Sequence, residues 1–126
     1  MKADVFEILE MLGANDYRDV EVSLLLYGIR KLADLARTLA SSPELLLLDE
    51  PAAGLNTAEK EHFASVLIQL FDQHSMALIM IEHDIKTVEM ICPEHVKVMN
   101  AGRKIADGTF EDVIVNEDVI AAHIGD

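Results

Sequence analysis

Two kinds of apolar pattern alternate along this chain. Residues 3–12 place Val5, Ile8, Leu9 and Leu12 at i, i+3, i+4 and i+7, which predicts a short amphipathic helix stopped by Gly13 and Asn15-Asp16. Residues 16–24 are polar and show no clear period. From Ile29 to about Ala40, Ile29, Leu32, Leu35, Ala36 and Leu39 share one helical face, with Arg30, Lys31, Asp34 and Arg37 elsewhere as a solvated face. Ser41-Ser42-Pro43 ends that helix, because the residue before proline avoids helical torsions. Residues 44–48 (ELLLL) are a short apolar run that predicts a strand buried on both faces, as in parallel sheets. The run leads into Asp49-Glu50-Pro51.

Beyond a turn at Gly54, Asn56 with Glu59 three residues later predicts a capping box and a helix over 57–74. Its stripe is Phe63, Val66, Leu67, Leu70 and Phe71. Residues 76–81 (MALIMI) predict a second buried strand, with Glu82-His83-Asp84 at its carboxyl end. A helix over 85–92, an alternating strand over 95–100, a turn at Ala101-Gly102 into 103–106 and a segment capped by Thr109 with Asp112 follow. Strand, helix, strand, helix, strand is the pattern of βαβ units with a parallel sheet, so the fold class is α/β. The organisation is a helical segment at 1–43 ahead of an α/β part at 44–126, within one compact unit.

Composition narrows the function. At 126 residues and 51% apolar content the chain suits one domain with a real core. Its 10 Lys plus Arg against 23 Asp plus Glu give −13, which argues against unaided binding to nucleic acid or anionic lipid. The longest apolar run, 76–81, is far short of a membrane helix. No charged-then-apolar leader opens the sequence, so an intracellular location is expected. Cys92 is the only cysteine, which leaves no internal disulfide.

Asp49 and Glu50 are the most informative pair. Burying a carboxylate costs several kcal/mol unless it is paired or metal-bound, so adjacent acids at the end of an apolar strand read either as the ligand-binding edge of a sheet or as a solvated strand end. The stretch LLLLDEPAAGLN at 45–56 resembles the Walker B and D-loop segment of ATP-binding cassette (ABC) ATPases. IEHD at 81–84 resembles that family's switch-histidine motif, and LLYGIRKLADLARTLA at 25–40 its signature loop and helix. NAGRKIADGTFEDV at 100–113 is similar to the strand, turn and capped helix that follow the switch histidine. The wording DEPAAGLN and GRKIADGT is most similar to the ATPase subunits of branched-chain amino-acid importers.

The resemblance implies roles that each side chain can perform. Asp49 would hold Mg²⁺ through water, since Mg²⁺ keeps its hydration shell and uses few carboxylates. Glu50 would act as the base that accepts a proton from, or orients, the attacking water, a contribution of order 10²–10⁴ in rate. His83 would reach the γ-phosphate; without the acids it would read as a surface histidine before a helix. Asn56 takes a D-loop position where many relatives have Asp, and it serves equally as a helix N-cap. The cofactors implied are ATP and Mg²⁺. The partners implied are membrane permease subunits and a second ATPase subunit, at the cytoplasmic face of the inner membrane.

The departures matter as much. The signature loop usually reads Leu-Ser-Gly-Gly-Gln, or Leu-Ser/Pro-Tyr-Gly-Gln in this importer group; here it is Leu25-Leu26-Tyr27-Gly28-Ile29. Gly28 remains, but Leu26 and Ile29 offer no hydrogen bonds to a phosphate, a loss of roughly 1–3 kcal/mol per unpaired group. A phosphate cradle needs G-x-x-x-x-G-K-[ST], and of the six glycines no two are five apart and none precedes a lysine. The chain resembles the carboxyl-terminal half of an ATPase subunit, a partial P-loop NTPase core with the phosphate-loop strand missing. It is expected neither to bind ATP tightly nor to hydrolyse it alone.

In that family the phosphate-loop strand lies between the two strands here at 76–81 and 95–100. Its absence predicts either closure of 95–100 onto 76–81 or a homo-oligomer that covers the open edges. Two functions follow: a truncated importer ATPase subunit, or a stand-alone non-catalytic module that binds a transporter subunit or another ATPase chain. A metal hydrolase built on Asp49, Glu50, Glu82 and His83 is disfavoured, because neighbours on a strand point to opposite faces. His62, His74, His95 and His123 show no ligand spacing.

Overall fold

The computed structural model describes residues 5–124. They form two compact units, Met1–Glu82 and His83–Asp126. The helical segment 1–43 thus lies in the same unit as the first two strands. The predicted start of the first helix at residues 3 and 4, and the side chain of Val5, lie outside the described residues.

In the first unit, α1 (Val5–Met11) buries Ile8, and Leu12 is buried just beyond it. Gly13, at φ 65°, ends the helix as a left-handed cap. The Gly13 N–H donates to the Glu10 carbonyl and the Ala14 N–H to that of Leu9, the two bonds of a Schellman motif. The polar stretch after it contains two single 3₁₀ turns, Asn15–Tyr17 and Val22–Leu24. Helix α2 (Tyr27–Leu39) buries Leu32, Leu35, Ala36 and Leu39 of the stripe its spacing predicts, with Ile29 half-buried at its start. Helix α3 (Thr57–Gln73) buries Phe63, Val66, Leu67 and Leu70, with Ala64. The Nε2 of His62 lies 3.1 Å from the Leu12 carbonyl, a distance at which the Nε2–H tautomer donates and ties α3 to the end of α1.

Strands β1 (Leu45–Asp49) and β2 (Ala77–Ile81) pair in parallel, with Leu47 opposite Ile79 and Asp49 opposite Ile81. Two-sided burial is corrected here. Leu46 is buried, and Leu48, Leu78 and Met80 are half-buried, but Leu45, Leu47, Ala77, Ile79 and Ile81 are exposed. The period of 2 sorts these residues onto opposite faces, and only one face meets the core.

In the second unit, α4 (Ile85–Ile91) is capped by Asp84, whose carboxylate accepts from the Thr87 N–H and, at 2.6 Å, from its hydroxyl. Strands β3 (Val96–Asn100) and β4 (Arg103–Gly108) form an antiparallel hairpin. Its two-residue turn, Ala101-Gly102, takes φ 49° and 78°, as a type I′ turn requires. This corrects both the third parallel strand and the closure of 95–100 onto 76–81: among the described residues β2 pairs with β1, and β3 with β4. A two-residue turn makes the hairpin partner local, whereas a parallel partner needs a crossover. Helix α5 (Phe110–Ile114) starts at the Thr109 cap, and α6 (Glu117–Ile124) starts where Asn116 accepts from the Asp118 N–H. Glu117 and Asp118 form the favourable acidic first turn of α6. Among the described residues no helix is long and apolar enough to cross a membrane.

The predicted capping box at Asn56 is present: its side chain accepts from the Glu59 N–H at 2.9 Å, and the Glu59 carboxylate accepts from the Asn56 N–H at 2.8 Å. Replacing Asn56 by Ala should cost about 1 kcal/mol in urea unfolding, and Asn56→Asp should recover most of it. The hairpin carries its own acid-sensitive clasp. Asp107 accepts from Lys97 at 2.7 Å and Lys104 at 2.9 Å, and these hydrogen bonds lower its pKa from 3.8 to about 2. A depressed carboxyl stabilises the fold fully above its unfolded pKa and loses that contribution as pH falls through the folded value. Thermal unfolding of the chain should therefore steepen with acidification between pH 3.8 and about 2. Asp107→Asn should flatten that limb.

Candidate functional site

In a parallel pair both carboxyl ends lie at one edge, so Asp49-Glu50 and Glu82 leave the sheet on the same side. Asp49 and Glu50 are exposed, and Glu82 is half-buried. The Glu50 N–H donates to the Ile81 carbonyl at 2.7 Å, which extends the ladder one residue past β1. Glu50 then takes φ 48°, a left-handed conformation that costs a non-glycine residue of order 1 kcal/mol. Such a kink turns the chain sharply away from the sheet.

The loop that follows takes backbone hydrogen bonds from two side chains outside it, Glu82 just beyond β2 and Lys31 of α2. The Ala52 N–H donates to the Glu82 carboxylate at 3.0 Å. The Lys31 ammonium, from the second turn of α2, donates to the Pro51 carbonyl at 2.7 Å, with the Glu50 carbonyl at 3.5 Å. Lys31 also lies 5.3 Å from the centre of the Tyr27 ring, a cation–π distance. The Tyr27 ring in turn covers Gly54, at φ 79°, where an added Cβ would sit 2.5 Å from Cε1. One residue on, a Cβ at Gly28 would lie 2.9 Å from the Glu59 carboxylate of the capping box. The start of α2 and the 50–56 loop are therefore packed as one piece.

Sequence reasoning missed these links. Lys31, expected on a solvated face, is half-buried and holds the loop; Arg30 is exposed as expected and also donates to the Leu25 and Ser23 carbonyls at 3.1 and 3.0 Å. The only signal was cations in the first two turns of a helix, against the usual dipole preference. Leu26 is the N-cap of α2 and makes no side-chain capping bond. Its side chain is 77% exposed, and Leu24 and Tyr27 are exposed beside it. The loop thus keeps an ordered helix start but presents hydrocarbon where a hydroxyl would cap.

Asp49, Glu50, Leu26, Tyr27, Gly28 and Asn56 all lie in the first unit, and the α2–loop packing brings Tyr27, Gly28 and the 50–56 segment together. His83 is the first residue of the second unit, exposed, two residues beyond β2 and just ahead of the Asp84 cap. Among the described residues no three His, Cys, Asp or Glu side chains converge as a metal cage. Half-burial pushes the Cys92 thiol pKa up, which suits an inert small side chain.

Comparison with known proteins bears on the chain as a whole. The chain is 36% identical over 118 residues to the high-affinity branched-chain amino acid transport ATP-binding protein BraF of Pseudomonas aeruginosa, covering 94% of this chain and 46% of BraF. The LivG protein of Escherichia coli, described in the same words, is 37% identical over the same shares. The crystal structure of an ATP-binding cassette of an ABC transporter in its ADP conformation superposes with a TM-score of 0.85 at 28% identity. That match covers 97% of this chain and 49% of the cassette, and a nucleotide-free cassette gives 0.84 at 27%. No family model matches. The chain spans about half the length of the curated relatives it matches. In sequence and in fold, then, this chain is a homologue of ABC transporter ATP-binding proteins, equivalent to about half of one cassette.

Proposed function

We propose that this chain supplies the Walker B, D-loop and switch-histidine portion of an ABC importer ATPase for branched-chain amino acids, the carboxyl-terminal half of such a subunit. The observation that carries the reading is the anchored edge: Glu50 fixed by Ile81 and followed by a loop that Lys31 and Glu82 hold. In this reading Asp49 holds Mg²⁺ through water, and its exposed single carboxylate suits an ion that keeps its shell. When bound, Mg²⁺ supplies charge neutralisation at the phosphates. Glu50 is the base for the attacking water, His83 reaches the γ-phosphate, and Asn56 serves the D-loop as well as α3. The working place is the cytoplasmic face of the inner membrane, with permease subunits and a second ATPase subunit as partners.

The chain alone lacks a phosphate cradle, and with −13 net charge it repels a triphosphate. Calorimetry with ATP and magnesium should give a Kd on the order of 1 mM or weaker. A micromolar value would overturn that expectation.

A chimera tests the function itself. This chain would replace the matched stretch of the Pseudomonas relative, in vesicles carrying that relative's own transporter. ATP hydrolysis should persist but run roughly 10-fold below the intact relative, because Leu26 and Ile29 give up phosphate contacts of about 1–3 kcal/mol. Leu26→Ser with Ile29→Gln should restore it, and Glu50→Gln should abolish it by roughly 10²-fold or more. A chimera whose residual hydrolysis ignores Glu50→Gln would sink the assignment. The exposed apolar Leu24, Leu26 and Tyr27 favour a second reading, a non-catalytic module that binds a transporter subunit or another ATPase chain. A chimera that assembles yet hydrolyses nothing after the Leu26 and Ile29 reversions would select it.

A further inference from the structure

The peptide group between Pro51 and Ala52 is held at both ends by opposite charges. Its carbonyl accepts from the Lys31 ammonium at 2.7 Å, and its N–H donates to the Glu82 carboxylate at 3.0 Å. Pro51 and Ala52 are buried, and Lys31 and Glu82 are half-buried. A peptide group is a dipole with its negative end at the oxygen, so cation and anion each sit at the end that attracts them. Hydrogen bonds to charged partners are roughly twice as strong as neutral ones, and linked bonds away from water polarise one another. The two side chains come from α2 and from the residue after β2, far apart in sequence, yet they meet on one peptide plane.

That plane lies one residue beyond Glu50. The Glu50 N–H is fixed on the Ile81 carbonyl at 2.7 Å, and its own carbonyl accepts from the Ala53 N–H at 3.1 Å, with the Lys31 ammonium at 3.5 Å. The proline ring holds φ of residue 51 at about −65°. With the next plane clamped as well, the left-handed turn at Glu50, φ 48°, is enclosed between fixed peptides. A left-handed glutamate relaxes when its surroundings let go, and the direction of its Cα–Cβ bond changes with the backbone. We infer that Lys31 and Glu82 act as a pair of positioning residues for Glu50, clamping one peptide from both ends and so setting where the Glu50 carboxylate points. This rests on the ATPase reading above, in which that carboxylate serves the attacking water. Each member of the pair acts through the loop backbone and is not itself a catalytic residue.

Two measurements test the pair, one on the 126-residue chain and one on the chimera described above. In the chain, Glu82→Leu should speed hydrogen exchange of the Ala52 amide by roughly 10-fold. Lys31→Met, which keeps the apolar stem and removes the ammonium, should speed the same amide several-fold, although Lys31 bonds only the carbonyl side. In the chimera each variant should lower kcat roughly 10-fold and leave KM for ATP within about twofold, because a displaced base weakens the chemical step and not binding. The double variant should lose little more than the larger single loss, whereas independent structural damage would multiply to roughly 100-fold. Lys31→Arg and Glu82→Gln keep a donor and an acceptor, guard against a misfolded pair, and should recover most of kcat. An Ala52 amide indifferent to Lys31→Met, losses that multiply or fall on KM, or full activity in both single variants each overturns the pair. Hydrolysis that ignores Glu50→Gln removes the ATPase reading instead, and the exchange result then decides the clamp by itself.

Discussion

The segment after β1 must leave the sheet while its peptide groups stay satisfied. Pro51, Ala52 and Leu55 are buried, so an unmet N–H or C=O there costs about 1–3 kcal/mol. No strand runs beside this loop to meet those groups. Inside the loop the Leu55 N–H donates to the Ala52 carbonyl and the Ala53 N–H to the Glu50 carbonyl, and the remaining partners are the last carbonyl of β2, the Glu82 carboxylate and the Lys31 ammonium. The outside partners belong to elements with their own reasons to be where they are, so the backbone of Glu50 is located by the ladder with β2 and by α2 at once. A left-handed Glu50 persists because its surroundings over-determine it.

That constraint separates position from chemistry at the start of α2. Tyr27 covering Gly54, Gly28 against Glu59 and Lys31 on Pro51 require only the ring, the missing Cβ and the ammonium. None of them involves the polar groups that Leu26 and Ile29 fail to provide. A loop can therefore lose its capping hydroxyl and keep its place, and its exposed face is free to change character. The acids at the sheet edge and the apolar Leu26 and Ile29 are compatible in one chain for that reason.

Most of the fold was legible because period and punctuation agree. The 3.6 spacing of α2 and α3, the capping pair Asn56 and Glu59, and the apolar runs ending at Asp49 and Ile81 each carry a local cause that tertiary context reinforces. What was not legible depends on distant partners. Nothing in Arg30 or Lys31 announces that they bind carbonyls of flanking loops, and nothing in Glu82 announces the Ala52 N–H. The hairpin of β3 and β4 was half visible, since Ala101-Gly102 reads as a turn. Its pairing displaced the parallel strand because a two-residue closure has little entropy to overcome. Helix α6 went unseen for lack of a long apolar stripe. Of the candidate site, pattern singled out the acids and Asn56, whereas the bonds that hold the backbone after Glu50 had no local signal.

The composition of β1 and β2 records more burial than the chain itself provides. A one-sided antiparallel strand alternates apolar with polar residues, as 95–98 does with His95 and Lys97 alternating with Val96 and Val98. ELLLL and MALIMI do not alternate, although the covered face accounts for only Leu46, Leu48, Leu78 and Met80. The other face is as apolar as the first, and each leucine or isoleucine fully covered there would gain roughly 1.5–3 kcal/mol. Solubility would favour polar residues at those positions if water were their permanent neighbour. The pattern of the two strands is thus that of an inner sheet, and a two-stranded sheet with one wet apolar side is an incomplete layer.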